Sequence, residues 1–123
     1  MNLDYSSFGL QDKAAIVTGP SQGIGRAIAL GLAQAGAHLV LAKHPDGRRD
    51  EIKGVQAEIE QLGRKAVIQL TDVARVDDVR RMVDVAKETF GRVDILVNNA
   101  GWTGRRRRST SPRRSSTRPY RRR

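Results

Sequence analysis

Thr18-Gly19-Pro20-Ser21-Gln22-Gly23-Ile24-Gly25 places three glycines between an apolar run and a helical one. Glycines so spaced suit the cradling of a pyrophosphate. Gly19 permits a sharp turn, Gly23 lets backbone approach the phosphates with no Cβ in the way, and Gly25 lets the helix pack closely on the strand. The helix start then offers unpaired N–H groups and a positive dipole end to the anion. Thr18, Ser21, Gln22 and Ile24 complete the candidate set; Pro20 has no N–H to give. A glycine triplet by itself also suits a ligand-free turn from strand to helix. What favours the phosphate reading is context: a strand before, a helix after, within the first βαβ unit.

The elements that must hold this loop follow from periodicity. Lys13–Thr18 is apolar on both faces and reads as a buried strand. Residues 23 to about 36 have helical spacing, with Ile24, Ile28, Leu32 and Ala35 expected on the inner face and Gly36 as the stop. His38–Ala42 is a second strand, followed by a turn at Pro45-Asp46-Gly47. Asp50 opens a helix with Ile52, Val55, Ile59 and Leu62 inward, closed by Gly63. Lys65–Leu70 is a third strand. A third helix from about Val76 turns Val79, Met82, Val83, Ala86 and Phe90 inward and stops at Gly91, with Asp77 and Asp78 suiting its dipole. Asp94–Asn98 is a fourth strand. Strand and helix alternating through short links predict a parallel sheet with right-handed crossovers.

Two further motifs stand at strand ends. Asp72-Val73 follows the third strand, and Asn98-Asn99-Ala100-Gly101 follows the fourth. With the glycine loop, they resemble the signatures of the short-chain dehydrogenase/reductases, in order, over roughly Leu10 to Gly104. The resemblance is greatest to the branch holding 3-oxoacyl-carrier-protein reductases and sugar dehydrogenases. It implies a Rossmann-like three-layer α/β fold and an NAD(P)-dependent oxidoreductase lineage, moving hydride between a nicotinamide cofactor and an alcohol or carbonyl. It also implies that Gly19, Gly23, Ile24 and Gly25 line the pyrophosphate, that Asp72 and Val73 contact the adenine ring, and that Asn98 and Ala100 flank the ribose, with Gly101 beside them. Taken singly, Asp72 would read as a helix cap and Asn98 as a turn former.

The residue ending the second strand usually selects the cofactor. An acid there bonds the ribose hydroxyls of NAD and repels a 2′-phosphate. Here Lys43-His44 holds the place, which favours NADP over NAD. The plainer reading of Lys43 is an exposed loop lysine.

The same family catalyses with Tyr-x-x-x-Lys on a later helix, aided by a Ser and an Asn. Tyr5 is followed four places on by Gly9, and Tyr120 only by three arginines. No residue therefore receives a catalytic role, and no cysteine or other pattern suggests a metal. A small alcohol or carbonyl substrate is expected only of a longer version.

The formal charge is +10, and ten arginines of residues 105–123 supply all of it. The other 13 basic side chains balance 13 acidic ones. Residues 1–104 thus read as the first half of a dinucleotide-binding domain, its sheet cut after the fourth strand. Residues 105–123 read as a disordered Arg/Ser-rich tail. A shifted reading frame in GC-rich DNA would produce such a tail, and that is the favoured origin. A nucleic-acid arm is the alternative, not favoured because Tyr120 alone could stack on a base. A third alternative is a non-catalytic NADP-binding protein whose tail recruits a partner. Without cysteine, signal peptide or membrane-length apolar run, a cytoplasmic location is expected. An edge at the fourth strand would leave Ile95, Leu96 and Val97 presenting apolar surface.

Overall fold

A strand apolar on both faces has no side to give to water, so helices must cover it twice. The computed structural model, which describes residues 9–46 and 50–100, has that arrangement. Its elements are β1 (Ala14–Thr18), α1 (Gly23–Gln34), β2 (His38–Lys43), α2 (Asp50–Gln61), β3 (Ala66–Leu70), α3 (Val76–Phe90) and β4 (Ile95–Val97). Each lies within two residues of its sequence expectation. Tyr5, Gly47, Gly101, Tyr120 and the whole of residues 105–123 lie outside the described residues.

The four strands are parallel in the order β3-β2-β1-β4. Alternation along each strand divides the core in two. Ala15 and Val17 of β1, with Leu39 and Leu41 of β2, meet Ala29 and Ala33 of α1 and Ile52, Val55 and Ile59 of α2. Ile16, Val40 and Ala42 point the other way, onto Met82 and Ala86 of α3. Helices α1 and α2 thus cover one face and α3 the other, giving three layers.

Two expectations about helix faces are corrected. Ile24 was expected inward but is 73% exposed; the buried stripe of α1 is Gly25, Ala29 and Ala33, with Ile28 and Leu32 only half-buried. Small side chains let the helix axis approach the sheet, so the closest face is the one with least bulk. Leu62 was also expected inward. It lies past the end of α2 and is exposed.

β1 is central, and the chain leaves it in both directions: to β2 and β3 on one side, and by way of α3 to β4 on the other. A crevice opens beyond the carboxyl ends of the strands where such an order reverses, here between β1 and β4. The glycine loop leaves β1 at that point. Among the described residues β4 is an edge strand, and Leu96, on the α3 side, is 56% exposed while Ile95 and Val97 pack against the opposite core.

Candidate cofactor site

The loop between β1 and α1 is shaped by glycine at three positions, each for a different reason. Gly19 (φ +65°) and Gly23 (φ +62°) take left-handed backbone that other residues adopt only at a cost. A Cβ on Gly23 would meet nothing within 4 Å, so this backbone faces open space rather than protein. Gly25 is the reverse: a Cβ there would stand 1.9 Å from the Gly19 carbonyl oxygen and 2.5 Å from Asn99 Nδ2. The first turn of α1 is thus pressed onto the loop that precedes it.

Thr18 fixes the loop to the far strand. Its Oγ1 donates to the Val97 carbonyl at 3.3 Å and accepts the N–H groups of Asn99 and Ala100 at 3.0 and 2.9 Å. One donor and two acceptor sites are all a hydroxyl has, so Thr18, 2% exposed, is saturated. Asn99 adds a second tie, Nδ2 donating to Gly19 O at 2.9 Å.

The N-terminus of α1 is left open. Gln22 at the N-cap is extended and makes no side-chain cap, and no acidic residue occupies the first turn. The first turns of α2 and α3, by contrast, carry Asp50 and Glu51, and Asp77 and Asp78. Anions are favoured at a helix N-terminus; α2 and α3 supply their own, whereas α1 has none.

In front of this loop lies a cleft of about 520 Å³, lined by Gly19, Pro20, Ser21 and Gln22 on one side, Lys43, His44, Asp72, Val73 and Ala74 on the other, and Ala100 at the end of β4. The ends of all four strands therefore contribute. Asp72 is held by its own turn: its Oδ1 accepts the Ala74 N–H at 3.0 Å, and its N–H reaches Asp78 Oδ2 at 2.9 Å. Val73, 41% exposed, presents an apolar surface to the cleft. Lys43 is 6% exposed, and its Nζ donates to the carbonyls of His44 and Asp46, each at 3.1 Å. His44 Nδ1 accepts the Asp46 N–H at 3.1 Å, and its Nε2 stands 3.9 Å from Asp72 Oδ1.

Of the residues singled out from sequence, Gly19, Ser21, Gln22, Lys43, His44, Asp72, Val73 and Ala100 meet around one cleft. Thr18, Gly23, Ile24, Gly25 and Asn98 are not among its lining residues. Thr18 and Gly25 build the loop from behind, and Ile24 and Asn98 are exposed. The plainer alternative for Lys43, an exposed loop lysine, does not hold: it is a buried strand-end residue. Sequence reading missed Asn99, Pro20 and Ala74. Asn99 was discoverable by parity: it continues the alternation of Ile95 and Val97, which face α1, while Asn98 continues that of Leu96. Among the described residues no three His, Asp or Glu side chains gather into a cation site, and no helix is long and apolar enough to cross a membrane.

The residues present suit a dinucleotide: an open glycine backbone, an uncapped helix start and a long cleft across the strand ends. Comparison with known proteins gives the same direction. A model of the short chain dehydrogenase family matches residues 13–117. The chain is 45% identical over 93 residues to L-rhamnose 1-dehydrogenase (NAD(P)(+)) of a Sphingomonas species, which covers 75% of this chain and 35% of that protein. It is 42% identical over 92 residues to 3-oxoacyl-[acyl-carrier-protein] reductase FabG of Staphylococcus epidermidis, covering 75% and 37%. Among solved structures, carveol dehydrogenase from Mycobacterium avium in complex with NAD superposes with a TM-score of 0.69 at 29% identity, covering 75% of this chain and 36% of that one. The chain thus spans little more than a third of the length of these relatives.

Proposed function

The chain belongs to the short-chain dehydrogenase/reductase family, and we propose that its cleft takes up a nicotinamide dinucleotide, NADP in preference to NAD. The observation that carries the reading is the open N-terminus of α1 at Gly23, where a Cβ would meet nothing within 4 Å, the N-cap makes no side-chain cap and no acid stands in the first turn. Ser21, Gln22 and Gly23 would hold the pyrophosphate there. Asp72 and Val73, on the opposite wall, would hold the adenine, and Asn98, Ala100 and Gly101 would flank the nicotinamide-side ribose. Lys43 and His44 at the end of β2 bring positive charge and donors, where an acid would select NAD.

When bound, such a cofactor supplies the hydride-transfer chemistry of the lineage, between nicotinamide and an alcohol or carbonyl. The chain's own residues orient it. Thr18 and Asn99 fix the loop, and Gly25 seats the helix so that its N-terminus faces the cleft. Residues 1–123 contain no Tyr-x-x-x-Lys, so we propose binding without turnover for this stretch by itself.

NADPH titrated into the 123-residue chain, followed by its fluorescence, tests the reading. Saturable binding, with no NADPH consumed in the presence of aldehydes and ketones, is the expected result. Absence of saturation would overturn cofactor binding, and tighter binding of NADH than NADPH would overturn the preference.

A further inference from the structure

Among the described residues the sheet has two edges, β4 and β3. An edge strand turns the N–H and C=O of every second residue outward, where another strand can pair with them. On β3 the register says which residues those are. Leu39 N–H donates to the Lys65 carbonyl, and Thr71 N–H to the Lys43 carbonyl, both across the β2–β3 pair. The backbone of residues 65, 67, 69 and 71 therefore faces β2, and that of Ala66, Ile68 and Leu70 faces the open side. Two of these outward carbonyls already have a donor. Gln56 of α2 gives its Nε2 to Ala66 O at 2.9 Å. Gln69 gives its Nε2 to Leu70 O at a longer 3.5 Å. Gln56 is half-buried and sits beside the stripe of Ile52, Val55 and Ile59, where helical spacing suits an apolar side chain. An amide at that place forgoes apolar packing, and its bond goes to an edge carbonyl.

We propose that Gln56 is an edge guard: by occupying Ala66 O, its amide keeps β3 from adding the β3 of a second copy of this chain. Two such edges would meet antiparallel about a two-fold axis at Ile68, the central outward residue. Ile68 would then face its own counterpart, and Ala66 would face the partner's Leu70, each pair exchanging N–H and C=O. The partner's Leu70 N–H needs the Ala66 carbonyl, and the symmetric bond needs the same carbonyl on the other copy. One amide per chain thus withholds an acceptor from each half of the ladder. The Gln69 cap, longer and so weaker, covers the carbonyl of the same pair. What is left open is the N–H and C=O of Ile68, too short a run to hold a strand by itself.

Gln56→Met, which keeps the size of the side chain and loses the donor, tests this in the 123-residue chain. Its rate of association at equal concentration, read by light scattering, is expected to rise by about threefold or more over the unsubstituted protein. Gln61→Met, the same change at an exposed position of α2, should leave the rate unchanged. Gln56→Arg, which keeps N–H donors above the edge, should stay near the unsubstituted rate. Amide hydrogen exchange locates the contact: the Ile68 N–H should be protected in associated Gln56→Met and exchange readily in dilute solution. Circular dichroism checks that each variant folds, and Gln56→Leu takes the place of Gln56→Met if the latter does not. An unchanged rate in Gln56→Met, an equal rise in Gln61→Met or Gln56→Arg, or protection gained at β4 with Ile68 unaltered would each overturn the guard. None of these outcomes depends on whether the cleft takes up a dinucleotide.

Discussion

Asn99 holds Gly19 from the neighbouring strand: the amide just past β4 donates to the carbonyl just past β1, at 2.9 Å, over a separation of 80 residues. The Thr18 hydroxyl bonds the Asn99 N–H beside it. Asn99→Ala removes one donor and leaves the Gly19 carbonyl short of a partner, at an expected cost of about 1–2 kcal/mol. Asn99→Asp should be worse, since a carboxylate cannot donate and faces a carbonyl. Urea denaturation midpoints for the two variants check the order. Equal stability of all three proteins would dismiss the tie.

The same substitution at two positions of α1 should have opposite effects. Gly25→Ala drives a Cβ to 1.9 Å from the Gly19 carbonyl oxygen, backbone that has no rotamer to change. It is expected to destabilise by about 1–3 kcal/mol and to weaken NADPH binding at least tenfold. Gly31→Ala meets nothing within 4 Å and sits mid-helix, where alanine is favoured; a gain of about 0.5–1 kcal/mol is expected. Thermal midpoints moving in the same direction for both would refute the packing argument.

Asp94 ties the start of β4 to the start of β1. It accepts Arg92 through both oxygens, at 2.7 and 2.9 Å, and the Ala14 N–H at 2.9 Å. The Arg92 side chain, first, and the Ala14 N–H, second, hold its carboxyl below the usual carboxylate range. A folded-state pKa below the unfolded one means that this stabilisation is present above the unfolded value, near 3.9, and is lost as pH falls through the folded one. Asp94→Asn should therefore be less stable than the parent at neutral pH, with the gap closing as pH falls below about 4. A gap that stays constant from pH 7 to pH 3 would contradict the assignment.

Among the described residues Leu96 is the exposed member of an edge strand, and its two neighbours are not. Leu96→Lys is expected to leave stability within about 0.5 kcal/mol and to reduce self-association, since lysine on an edge discourages strand addition. Val97→Lys would bury a charge against the α1 side and should unfold the chain. Light scattering and urea midpoints distinguish the two outcomes.

What could be read from the sequence was whatever depends on local period. Strands apolar on both faces, helices with a 3.6-residue stripe and glycines at Gly36, Gly63 and Gly91 located every element. Motifs at strand ends met at one cleft because parallel strands in a doubly wound sheet all end on the same side. The misreadings concern what local period does not set. Ile24 satisfied the helical spacing, yet the α1 face that meets the sheet is the one with glycine and alanine. Lys43 carried the expected charge, but its use depends on where the carbonyls of residues 44 and 46 point. That orientation belongs to the turn, not to the composition.

The clamp at Thr18 has a consequence for the order of events during synthesis. Its partners, Val97, Asn99 and Ala100, are among the last of the described residues to be made. A loop written at residues 18–25 therefore cannot take its final shape on the ribosome until a strand some 80 residues later has emerged and crossed to the far side of β1. Contacts of such long sequence separation slow folding, because the intervening chain must be ordered before they form. Among the described residues, a loop near the start is thus completed by contacts near the end.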